Sequence, residues 1–163
     1  SYTGSNFGLD LGYRSIDMNF FAPGEWQRIG TFYNPRGIED FQAGLHLGLG
    51  GDTKLSLEGI FGQVQDGGPD YWSAKADLSF GFGGGWSGIL GAEQFSLETP
   101  GTDYRQRWLT IGGSKALGNG GLFKLLYQYG DHNIGPIGYV AGRSTTESDI
   151  KGHMLFSQVT VKF

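Results

Sequence analysis

The sequence contains no cysteine, so neither a disulfide framework nor a thiolate metal site is available to it. Charge is scarce as well: Asp, Glu, Lys and Arg make up 17% of the 163 residues, and the net charge is -4. With no basic excess there is no electrostatic footprint for nucleic acid. No run of 18 apolar residues occurs, which excludes a transmembrane helix. Helical periodicity is almost missing, because glycine interrupts most windows long enough to hold a helix. No signal peptide is visible at "SYTGSNFGLDLGY" (1–13), so an exported protein is expected to be read here in its mature form.

The chain has 31 Gly, 12 Phe, 8 Tyr and 4 Trp. Disordered chains are poor in aromatics, so this one is expected to fold, and its length suits a single domain over 1–163. A mean hydropathy of -0.27 suggests solubility at first. That inference fails for a barrel in which every second strand residue faces lipid, since each strand then averages near neutral.

Alternation with period two recurs along the chain. In "FGLDLGY" Phe7, Leu9, Leu11 and Tyr13 oppose Gly8, Asp10 and Gly12. "FQAGLHLGL" (41–49), "TKLSLEGIFGQ" (53–63), "WSAKADLSFGF" (72–82), "LFKLLYQYG" (122–130) and "HMLFSQVTVKF" (153–163) repeat the pattern. Gly-rich turns are expected at 50–52, 83–85 and 114–121, and longer polar connections at 15–37, 65–71, 98–103 and 131–150. Long and short connections alternate strictly, giving seven links between eight strands. Each apolar span is of the order of the ~9–11 residues that cross a bilayer at a tilt.

The two faces differ in kind. The polar face is rich in Gly and Ser rather than in the Lys and Glu of a solvated surface. The apolar face gathers aromatics at strand ends: Phe82, Trp86, Phe123 and Phe163 near the short turns, Tyr13, Phe41, Phe61, Trp72 and Tyr129 near the longer connections. Such a distribution suggests two aromatic girdles around an aliphatic band. A soluble lipocalin-like barrel, apolar inside, is the competing class.

On these features the chain resembles the small eight-stranded bacterial outer-membrane β-barrels of the OmpA/OmpX type. The resemblance implies an all-β, eight-stranded, antiparallel, up-and-down transmembrane barrel with short periplasmic turns, longer extracellular loops and both termini periplasmic. It further implies that Phe163, with Val161, Val159 and Leu155 behind it, resembles the signal read by the outer-membrane assembly machinery; Ser157 departs mildly from it. The partners implied are membrane lipids, lipopolysaccharide and that machinery, with the protein a monomer. The last strand is expected to close the barrel against "FGLDLGY".

Along the inward register lie Asp10, Arg14, His46, Lys54, Glu58, Lys75, Asp77, Glu93 and Lys124, an expected interior network of ion pairs. Arg105 and Arg107 fit two registers. One places Tyr104, Gln106 and Trp108 towards lipid and both arginines inside, the other sends Leu109 and Ile111 outward, and a bulge would reconcile them; the inward reading is taken. No catalytic site is expected. His153 and Ser157 stand four apart on a strand, too far for a nucleophile–base bond, and His132 beside Asp131 has no serine nearby. The three histidines form no metal site, and no cofactor is expected. The connection 15–37 is aromatic for a spacer; Phe20, Phe21, Trp26 and Arg28, with His132 of the last connection, make a candidate interaction patch. A non-catalytic envelope protein is therefore expected, with a narrow channel and a lipid A-modifying enzyme as alternatives.

Overall fold

The computed structural model describes residues 2–3, 6–17, 37–99, 102–117, 120–134 and 148–161. They form one all-β sheet: β1 (Tyr2–Thr3), β2 (Phe7–Ile16), β3 (Ile38–Gly50), β4 (Thr53–Val64), β5 (Asp70–Gly83), β6 (Trp86–Thr99), β7 (Thr102–Ala116), β8 (Leu122–Ile134) and β9 (Ser148–Thr160). Spatial order follows chain order and every neighbouring pair is antiparallel, so the eight long strands run up and down. Period-two patterning makes each segment a strand with two unlike faces, and the short links between most successive strands force neighbours to run antiparallel.

Two-residue hairpins join β3 to β4 and β5 to β6. They depend on left-handed backbone at Gly50 (φ 102°) and Gly51 (φ 55°), and again at Gly84 (φ 57°) and Gly85 (φ 77°), which glycine adopts without a Cβ clash. The strands run further than the sequence suggested. β6 and β7 pair as far as Thr99 with Thr102, so only 100–101 lie between them, and 65–69 separate β4 from β5. The strict alternation of long and short links is thus corrected: two links are long, 17–37 and 135–147, and both leave the same end of the sheet.

Closure also differs from expectation. No pairing joins β9 to β2 among the described residues; β1 lies on the edge of β2 instead, Tyr2 opposite Leu9 and Thr3 opposite Gly8. The sheet is nonetheless curled. Residues of β5 to β9, nearly all inward, line one cavity of about 300 Å³, and residues of β2 to β6 with Asn6, among them the outward Phe7, Leu47 and Leu55, line another of about 500 Å³.

Candidate functional site

The register assigns every strand residue to a face. Asp10, Arg14, His46, Lys54, Glu58, Lys75, Asp77, Glu93 and Lys124 all share the inward face. Glu58, Lys75 and Glu93 stand directly opposite one another on β4, β5 and β6. Lys75 Nζ lies 2.8 Å from Asp77 Oδ2 and 3.8 Å from Glu58 Oε1. Alternating charge across a ladder makes a one-residue slip costly, since it would bring like charges together and turn the apolar set inward.

The fully buried side chains gather at the end that carries the long connections. Asp40, 1% exposed, is the hub there. Its Oδ2 accepts from Arg14 Nη2 at 2.5 Å, Arg14 Nε at 3.1 Å and the Tyr71 hydroxyl at 2.6 Å, and its Oδ1 accepts from Gln42 Nε2 at 3.0 Å. Gly62 lies between Asp40 and Tyr71 in the ladder, where a Cβ would come within 2.5 Å of Asp40 Cβ and 2.8 Å of Tyr71 Cζ. A glycine is therefore required for the hub to close. Tyr71 also faces Phe95, ring centroids 6.0 Å apart.

A second buried cluster, which with the Asp40 hub plugs this end of the inward face, centres on Trp108, 3% exposed, edge-on to His132 at 4.9 Å, with Gln106 buried beside them. Three expectations are corrected here. Trp108 and Gln106 point inward, so Arg105 and Arg107 take the outward face with Leu109 and Ile111. Pairing runs through β7 without a register shift, so no bulge reconciles the two halves. The bulky indole fills the interior, while the long aliphatic stems of the arginines let their heads stay at the polar rim of the outward face. Arg107 Nε donates to Gln94 Oε1 at 2.9 Å. His132 is not a loop residue: it belongs to β8, is 6% exposed, and lies over Gly130, where a Cβ would stand 2.7 Å from its Nε2. The rest of the candidate patch, Phe20, Phe21, Trp26 and Arg28, lies outside the described residues, as does Phe163.

Below the plug the interior is polar and half open. Gln128 Nε2 donates to Thr110 Oγ1 at 3.0 Å, and the hydroxyls of Ser87 and Ser114 lie 2.7 Å apart. Nearer the short turns, His46 Nε2 lies 3.1 Å from Asp10 Oδ2, and Ser56 Oγ lies 2.8 Å from His46 Nδ1. Asp40, Tyr71, Trp108 and Ser56 were not singled out from sequence as inward partners. Asp40 and Tyr71 fell just outside the recognised strand segments, and the partnership of Ser56 exists only through the register that sets it opposite His46.

The outward face is the inverse of a solvated surface. Leu11 is 71% exposed, Phe41 67%, Phe61 64% and Leu155 71%. Tyr13, Phe41, Phe61 and Trp72 form one cross-strand aromatic row on β2 to β5. At the other end Trp86 lies under Lys115, whose Nζ is 4.9 Å from the ring centroid and donates to the Gly84 carbonyl. Between these rows, outward positions 7–13, 41–49, 55–61, 72–82, 86–92, 109–113, 123–129 and 155–159 carry no charge; outward charges such as Glu39, Asp70, Arg105, Arg107 and Asp131 stand towards the long-connection end. Leu155 and Val159 belong to this belt on β9, with Val161 exposed just beyond it. His153 is engaged by Tyr127, whose hydroxyl lies 2.6 Å from Nδ1. Among the described residues no His, Asp and Glu group is placed to hold a metal ion.

Comparison with protein-family models, with curated proteins and with solved structures finds no match to the chain.

Proposed function

We propose that this chain is an integral β-barrel of a bacterial outer membrane, similar in architecture to the OmpA/OmpX type, with a side-chain-filled interior and with its long connections 17–37 and 135–147 as the surface offered to partners. The observation that carries this reading is the charge-free, exposed apolar belt on all eight long strands. On β3 it covers 41–49; nine residues rising about 3.3 Å each, tilted by about 40°, span roughly 23 Å, close to the apolar band of such barrels. Exposed apolar area on this scale has no place on a monomer in water. The reading requires β9 to pair with β2 in the membrane and β1 to leave the edge of β2, where Tyr2 and Thr3 now stand opposite Leu9 and Gly8.

An interior blocked at one end suits an envelope or surface-interaction role better than conduction, because the buried Asp40, Tyr71, Trp108 and His132 leave little room there beyond their own side chains. Migration on a denaturing gel with and without boiling tests the reading. The folded barrel should need detergent to stay dispersed and should change mobility only on boiling; a chain monodisperse in water without detergent would sink the proposal in favour of a soluble barrel.

A further inference from the structure

Asp10, His46 and Ser56 lie on three adjacent strands, His46 and Ser56 on the two arms of one hairpin and Asp10 36 residues before His46. The ladder sets His46 opposite Ser56 and Asp10 opposite Gly44, one inward position along β3 from His46. Gly44 lies against the pair: a Cβ there would make ordinary contact, at 3.5 Å, with both His46 Nε2 and Asp10 Cβ. The result is a chain of hydroxyl, imidazole and carboxylate at 2.8 and 3.1 Å. Those are the contacts by which a base activates a serine while an acid holds its tautomer, an arrangement recognised by geometry rather than by sequence order.

The triad opens onto a cavity of about 500 Å³ that is also lined by Lys54, Ser79 and Asn6. The backbone amides of these strands are engaged in ladder pairing, so charge developing on a substrate oxygen must be met by a side chain. Lys54 is the cation in that lining, one inward position before Ser56, and among the described residues it makes no ion pair.

We propose that Ser56, His46 and Asp10 form a serine-hydrolase site for short-chain carboxylic esters that enter from the short-turn end, with Lys54 stabilising the oxyanion. Ser56 Oγ attacks the ester carbonyl carbon as His46 Nδ1 takes its proton. The carbon–alkoxy bond then breaks and His46 returns that proton to the departing alkoxide, releasing the alcohol. Water, deprotonated in turn by His46, attacks the Ser56 acyl ester, and the carboxylic acid leaves as Ser56 regains its proton. Asp10 is a positioning residue, holding Nε2–H so that Nδ1 is free to accept.

The test uses the refolded full chain in detergent micelles, with p-nitrophenyl butyrate as substrate and a fluorophosphonate as covalent probe. The probe should label Ser56, and Ser56→Ala should abolish labelling and lower kcat at least about a hundredfold. Asp10→Asn should lower kcat with KM unchanged, and Asp10→Glu should recover part of it, which a purely structural carboxylate would not do. Ser157→Ala, on the outward face, should change nothing. Heat-modifiable migration of each variant establishes that it is folded. A folded wild-type chain that neither takes the probe at Ser56 nor hydrolyses the ester faster than its folded Ser56→Ala variant overturns the proposal.

Discussion

Asp40 shows how much of this molecule rests on single side chains. Four donor contacts converge on a carboxylate whose side chain is wholly buried, and its removal strands the Tyr71 hydroxyl, Gln42 and the Arg14 guanidinium together. Losing one partner of a buried charged network costs far more than such a network contributes net. Asp40→Ala should therefore destabilise the fold by about 2–4 kcal/mol, read from the urea midpoint of unfolding monitored by tryptophan fluorescence. Asp40→Asn, which keeps the shape and one acceptor, should cost less than half of that. Neither Asp40 nor Tyr71 was legible as part of the interior, because the alternation that reveals a strand in "FQAGLHLGL" begins at Phe41 and "GGPDY" reads as a turn. Inward placement at both sites follows only once the ladder extends to Ile38 and Asp70.

Among the elements, β2 to β5 were read correctly in both period and face, and the reason is chemical contrast. Leucines and aromatics alternate there with Gly, Ser and charged residues, so a slip by one residue would reverse every side chain. β7 had no such contrast: "YRQRWLTIGG" offers large residues to both faces, and the identity of the inward one was decided by what β6 and β8 present across from it, Glu93 and Gly130 opposite Trp108. The connections misled for a related reason. Pro100 and Gly101 are strong turn signals, and their influence was spread over residues that in fact pair. A comparison within β4 tests the face assignment. Leu57→Lys places a charge in the middle of the outward belt and should cost about 2–4 kcal/mol in a bilayer, while Glu58→Gln, one residue on and inward, should cost at most about 1 kcal/mol; denaturant titrations in lipid vesicles measure both. Equal costs would contradict the two faces.

At the scale of the whole molecule, the inward face is asymmetric: a buried plug of Asp40, Tyr71, Gln106, Trp108 and His132 at the long-connection end, and polar cavities towards the short turns. In the proposed barrel this plug should leave no stable unit conductance in planar bilayers. Replacing Tyr71 and Trp108 together by Ala should open the plug and give resolvable current steps, whereas steps in the wild-type chain would favour a channel. Whether the outward belt lies in lipid, as proposed, is directly measurable, because the sequence has no cysteine. Single cysteines placed in turn at 41–49 on β3, spin-labelled in lipid vesicles, can be compared for collision with oxygen, which concentrates in lipid, and with a water-soluble nickel chelate. High oxygen and low nickel accessibility is expected at the odd positions, Phe41 to Leu49, with low oxygen accessibility at Gln42, Gly44, His46 and Gly48. Odd positions as open to the nickel chelate as a solvent-exposed site would contradict it.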